Sequence, residues 1–180
     1  MPRPPATLPP TVPFPPAFSE PALFRSTKTF HDLPCAHRQW RDDGHCAFVH
    51  GYSRSFHFSF AARALTDTHF VVDFGGLKPL KVWLEHWFDH TLLLCEDDPE
   101  LPTFRALEAR GACALRVLPS VGMEYSARFA WAQANALLLE QYGGRAWCEA
   151  VECRENGKNA ASFCDTPAWA HADPRAAGRP

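Results

Sequence analysis

Between Phe48 and Arg63 the chain alternates with a period of two. Phe56, Phe58 and Phe60 fall on one side, while Ser53, Ser55, His57 and Ser59 share the other. Successive side chains of an extended strand point to opposite sides of the pleat, so this pattern reads as a long strand with one dry and one wet face. Such a strand needs paired neighbours and a second layer to cover its aromatic side.

The rest of the chain supplies them. Phe24–His37 reads as a strand ending at Pro34-Cys35-Ala36-His37, and Phe70–Phe74 as a third, shorter one. After Gly75-Gly76, the residues Leu77, Leu80, Lys81, Leu84 and Phe88 recur at helical spacing. Pro79 is tolerated only in a first turn, which fixes where that helix starts. Trp83 and Trp87, one turn apart, are expected to pack the helix on the sheet. A second helix is predicted from about Glu124 to Gln141, stopped by Gly143-Gly144, with Glu124 mainly a helix-start residue. Short strands around Leu115–Leu118 and Trp147–Arg154 flank it. The expected order is strand, strand, strand, helix, strand, helix, strand: an α+β pattern of hairpins, not an alternating parallel sheet.

Composition narrows the setting. The 180 residues allow one domain; the Pro-rich stretch 1–22 is expected to be a disordered leader, 23–165 the folded unit and 166–180 a disordered tail. A formal net charge of -2, with no basic run, argues against a nucleic-acid partner or an anionic membrane surface. No apolar stretch approaches the roughly 20 residues needed to span a bilayer. The N-terminus has no apolar signal-peptide core, which points to the cytoplasm, where the seven cysteines are expected to be thiols.

Chemistry-bearing residues gather at strand and helix ends. His37 closes one strand; His50 opens the next, four residues after Cys46, and Tyr52 shares its face. Two imidazoles at adjacent strand ends can converge on a metal ion, although among nine histidines a chance pair is ordinary. Asp89-His90 follows the first helix. A carboxylate beside an imidazole can orient it and support its cationic form, but the same pair can also serve only as a helix-end cap. Glu155, in Arg154-Glu155-Asn156-Gly157, reads by itself as a solvated turn carboxylate.

The order of these residues is more specific than any one of them. Cys35-Ala36-His37-Arg38, Cys46-Ala47-Phe48-Val49-His50-Gly51-Tyr52, Val71-Val72-Asp73-Phe74-Gly75-Gly76-Leu77-Lys78, Phe88-Asp89-His90-Thr91-Leu92 and Arg154-Glu155 resemble, in sequence, the motif series of the 6-pyruvoyltetrahydropterin / 6-carboxytetrahydropterin synthase superfamily. The resemblance spans about residues 24–163. It implies a T-fold: a four-stranded antiparallel sheet backed by two helices, with subunits assembling into a barrel, often a hexamer. It also implies that His37 and His50 bind Zn2+, that Cys46 transfers a proton, and that Asp89 and His90 activate it. Glu155 then anchors the guanidine-like edge of a pterin ring, a task suited to the two-pronged acceptor geometry of a carboxylate. The third zinc histidine of the family is Tyr52 here. Three outcomes stay open: a Tyr52 phenolate ligand, a thiolate lent by Cys35, or a metal-free site; His57 lies in the wrong register to substitute. The implied substrate is a dihydropterin such as 7,8-dihydroneopterin triphosphate. The implied product is 6-carboxytetrahydropterin, as on the deazaguanine route to queuosine, or 6-pyruvoyltetrahydropterin. The rival reading is a T-fold protein that kept the pterin or purine pocket and lost catalysis.

Overall fold

Two long strands form the spine of the molecule: β1 (Phe24–His37) and β2 (His50–Ala62) run antiparallel along almost their whole length. The computed structural model describes residues 23–171; the leader expected at 1–22 lies outside them. Phe56, Phe58 and Phe60 are fully buried, as the alternation requires, and burying each phenyl contributes roughly 1.5–3 kcal/mol. Phe30 of β1 meets Phe58 edge to face, with ring centroids 5.7 Å apart. His57 points the other way and pairs with Thr29 Oγ1 at 2.8 Å.

Four antiparallel strands are present: β1, β2, β5 (Ala146–Arg154) and β6 (Ala160–Cys164). The expectation of four strands nevertheless falls short by two. β3 (Thr91–Cys95) and β4 (Leu115–Leu118) extend the sheet beyond β1 by parallel pairing, giving the order β4-β3-β1-β2-β5-β6. All five residues of β3 are buried, the mark of a strand covered on both faces, so it carries no alternation to read. Within one chain the sheet is open, with β4 and β6 at its edges.

Helix α1 (Lys78–Phe88) starts with proline in its first turn, and α3 (Met123–Tyr142) ends on Gly143 in the left-handed conformation, φ 57°. Both contribute to the principal core. Ala127, Ala130 and Ala134 form a smooth stripe on α3 that lets it lie close to the sheet. Trp83 and Trp87 both stack edge-on against Phe129 of α3, at 4.7 and 5.0 Å, and so tie the two helices together. A third helix, α2 (Leu101–Ala109), was not expected; its Leu101 and Phe104 cover Leu92, Leu94 and Leu115.

Two further expectations are corrected. Phe70–Phe74 is no strand: its backbone pairs with side chains and within local turns, with Thr66 Oγ1 accepting from Phe70 N, the Tyr142 hydroxyl from Asp73 N, and the Phe70 carbonyl accepting from Thr66 N. The segment then enters a 3-10 turn, Phe74–Leu77, capped by the Asp73 carboxylate on Gly75 N. The ordered chain also continues past 165 into a short 3-10 turn, Ala168–His171, whose Ala170 is buried with Ala61 and Trp147.

One irregularity in β1 decides which side chains of its second half face the core. The β1–β2 register shifts between Phe30 and Leu33: Phe30 lies opposite Phe56, but Leu33 lies opposite Arg54. Three steps on β1 match two on β2, so an extra residue is accommodated, and Asp32 takes a left-handed φ of 62°. Before this bulge the even-numbered residue Phe30 faces the core; after it Leu33, Cys35 and His37 do.

Candidate active site

Past the bulge, the helix-facing side of the sheet stops being apolar. His37 lies opposite His50, Cys35 opposite Tyr52 and Leu33 opposite Arg54, so all these side chains share one face. The His37 and His50 rings sit 4.4 Å apart between centroids. Gly51 lets the strands close up, because a Cβ there would stand 2.7 Å from the Cys35 carbonyl oxygen.

Beneath the pair lies Arg54, with no solvent exposure at all. A buried guanidinium must be hydrogen-bonded and neutralised. Its Nη1 donates to Ser126 Oγ at 2.8 Å, and its Nη2 to the Val121 carbonyl at 3.0 Å and to Glu155 Oε1 at 3.3 Å. Ser126 and Val121 stand at the start of α3, so Arg54 fastens β2 to that helix and to the end of β5. Glu155 is not a solvated turn residue: its side chain is 11% exposed, and Oε1 also lies 3.4 Å from His37 Nε2. His37 is 4% exposed, and burial, reinforced by the Arg54 charge and by His50, pushes its pKa down to about 3. The His37–Glu155 contact at neutral pH is therefore between a neutral imidazole and a carboxylate, not an ion pair. Glu155 Oε2 makes no hydrogen bond among the described residues.

Asp89-His90 lies beside the same strand ends but in a different setting. β3 docks on Cys35–His37, and the residue before it, His90, donates its backbone N–H to the Pro34 carbonyl at 2.7 Å. His90 holds a left-handed φ of 54°, which for a non-glycine residue costs on the order of 1–3 kcal/mol. Its Nδ1 meets Asp89 Oδ1 at 2.6 Å, and its side chain is 84% exposed. It lines a shallow hollow of about 410 Å³ together with Cys35, Gly51, Tyr52 and Thr91. Cys46 sits half-buried in a 3-10 turn, His45–Ala47, and makes no hydrogen bond to Asp89 or His90 within the chain. One protomer thus brings His37, His50 and Glu155 together and sets Tyr52 between them and His90; Cys46 stands apart.

The donors for a metal ion divide. His50 Nδ1 donates to the Phe48 carbonyl at 2.8 Å, leaving Nε2 with its lone pair, the orientation a metal-binding imidazole takes. The remaining donors do not fit a resident zinc. No three His, Cys, Asp or Glu side chains gather as a ligand set among the described residues. The Cys35 thiol is pushed up by burial and keeps its proton. Tyr52 is 40% exposed, its ring 5.9 Å from that of His50. Glu155 is already committed to Arg54, whose permanent positive charge the site would share with the ion.

The match to known proteins agrees with this geometry. The family model for 6-pyruvoyl tetrahydropterin synthase matches residues 26–165. The chain belongs to that family. A 6-carboxy-5,6,7,8-tetrahydropterin synthase of Rickettsia conorii is 34% identical over 71 residues, 39% of this chain and 51% of the relative. The match therefore spans about half the length of that curated relative. Among solved structures, the uncharacterized protein WS1659 of Wolinella succinogenes superposes with a TM-score of 0.69 at 18% identity, covering 81% of this chain and 99% of that one. The 6-pyruvoyl tetrahydropterin synthase of Caenorhabditis elegans gives 0.54 at 16% identity, covering 81% and 97%. At these identities the structures speak for the fold alone.

Arg54 and Ser126 did not emerge from the motif series. Arg54 nonetheless left a trace, since it stands in phase with Phe56, Phe58 and Phe60 on a stripe otherwise apolar. A charge in that position has to be answered by a partner from elsewhere in the chain.

Proposed function

We propose that the chain is a lyase of the 6-carboxytetrahydropterin synthase kind, acting on a dihydropterin with a polar side chain such as 7,8-dihydroneopterin triphosphate. The observation that carries this reading is the inward-turned Glu155, braced by Arg54 with Oε2 unengaged. A carboxylate so held suits the paired N–H donors of a pterin's guanidine-like edge. His37 Nδ1, buried without a partner, and His50 Nε2 offer two lone pairs as acceptors for side-chain hydroxyls. Cys46 moves the side-chain proton, and the Asp89–His90 pair returns Cys46 to its reactive state. The 84% exposure of His90, and a hollow lined without Cys46, are consistent with a set completed by a neighbouring copy. The open sheet edges β4 and β6 support a homo-oligomer, a hexameric barrel by family likeness. No step is routed through zinc.

The chemistry yields 6-carboxytetrahydropterin by side-chain cleavage; loss of triphosphate to 6-pyruvoyltetrahydropterin is the alternative outcome at the same residues. No helix among the described residues is long and apolar enough to cross a membrane. Seven free cysteines accord with a cytoplasmic setting. A second reading, a pterin-binding protein without turnover, is favoured by the absence of any hydrogen bond between Cys46 and the Asp89–His90 pair among the described residues. Turnover of dihydroneopterin triphosphate by the full chain and by Cys46→Ala decides between them. The expected result is turnover in the wild type, and in the variant its loss with pterin binding retained. A variant as active as the wild type removes Cys46 from the reaction, and an inert wild type that binds pterin establishes the second reading.

A further inference from the structure

The site contains a permanent cation that the motif series does not call for. We propose that Arg54 is the resident cation of this cavity, and that its guanidinium stands in for a metal ion, so that the His37–His50 pair holds no divalent metal tightly.

Three observations lead there. The first is charge. Arg54 and Glu155 neutralise one another, so this buried pair is balanced without any ion. A dication added to it brings no anion of its own, and the carboxylate that faces His37 is the one Arg54 already holds. A buried guanidinium stripped of its carboxylate is strongly unfavourable. The second is placement. Arg54 cannot swing away to make room: it has no solvent exposure, and Ser126 Oγ and the Val121 carbonyl fix it at 2.8 and 3.0 Å. The third is the ligand count. Beyond the two imidazoles, no His, Cys, Asp or Glu side chain completes a set of three among the described residues, and Tyr52 is 40% exposed with its ring 5.9 Å from that of His50.

The guanidinium then does by hydrogen bonding part of what an ion would do by coordination. It fixes the Glu155 carboxylate and keeps positive charge beside the His37–His50 pair. The arrangement favours a ligand that supplies O–H and N–H donors, in line with a polyhydroxylated side chain on a nitrogen-rich ring. Residue 52 distinguishes charge from ligand count, because Tyr52→His at this half-exposed position adds a third imidazole while leaving Arg54 in place.

The test uses the full chain, produced in zinc-supplemented medium, dialysed into metal-free buffer and measured by elemental analysis and chelator-competition titration with zinc alone. The wild type is expected to retain less than about a tenth of an equivalent, and Tyr52→His to gain less than tenfold in zinc affinity. Tyr52→His combined with Arg54→Gln is expected to gain at least tenfold over Tyr52→His. A wild type that keeps stoichiometric zinc overturns the proposal. So does a Tyr52→His chain that binds zinc stoichiometrically with Arg54 intact, since ligand count alone then explains the site. If the double variant does not fold, those two measurements decide. Zinc content is read without turnover, so an inert but metal-free chain sinks the lyase reading and leaves this one standing.

Discussion

Two histidines flank the same end of β1 and live under opposite conditions. His37 is 4% exposed, wedged against Glu155 over a buried arginine; the His90 side chain is 84% exposed on a strained backbone beside an open hollow. The sealed group is held by charge compensation, so any change to it is felt through stability. The open group is held through its backbone N–H on Pro34 and by Asp89, so its side chain can be changed at little cost to the fold while altering chemistry. The contrast teaches that the site joins a sealed charge cluster, built by β1, β2, β5 and the start of α3, to an open hollow that solvent still reaches.

The sharpest way to break the contrast is at its sealed cluster. Arg54→Met leaves Glu155 buried without its partner, and is expected to destabilise the protein by about 3–5 kcal/mol. Urea denaturation measures it; a loss below about 1 kcal/mol means that Arg54 does not clamp the cluster. Acid should act next most strongly. The unfolded chain protonates His37 near its ordinary value of 6.5, the folded chain only near 3. Between those values the unfolded state binds more protons, so stability is full above about 6.5 and falls as the pH drops through the window. The expected loss by pH 4 is on the order of a few kcal/mol, and His37→Gln should flatten it. Equal pH dependence in variant and wild type would assign the acid sensitivity to other groups.

Gly51→Ala tests the seam between the two settings. Its Cβ would stand 2.7 Å from the Cys35 carbonyl oxygen and 3.1 Å from the Ala36 Cα, backbone atoms that cannot step aside. A cost of about 1–3 kcal/mol is expected, with weakened pterin binding because the His37–His50 separation shifts. The smallest stability effect belongs to the open hollow. His90→Gly accepts the left-handed backbone, and should leave stability within about 1 kcal/mol of the wild type while abolishing turnover. A variant that stays active removes His90 from the proposed proton path.

Much of this architecture is legible in the chain. The aromatic period of β2, the proline-started α1 and the glycine-stopped α3 are local signals, and they located those elements well. β3 was passed over because a strand buried on both faces shows no alternation. Phe70–Phe74 was mistaken for a strand because apolar residues packed under side-chain caps read the same as residues in a ladder. The candidate site splits in the same manner. Motif order singles out His37, His50, Asp89, His90 and Glu155 as candidates, whereas the inward turn of Glu155 depends on an arginine a hundred residues away in sequence.

The sequence by itself determined where β1, β2, α1 and α3 lie, which face of β2 is dry, and which family the chain joins, because periodicity and motif order are properties of neighbouring residues. Only the tertiary structure decided the rest. The extra residue at the β1 bulge turns His37 toward the core, and Arg54 meets Glu155 only once β2, β5 and α3 are assembled. Register and through-space charge depend on distances between remote segments, and those exist only in the folded chain.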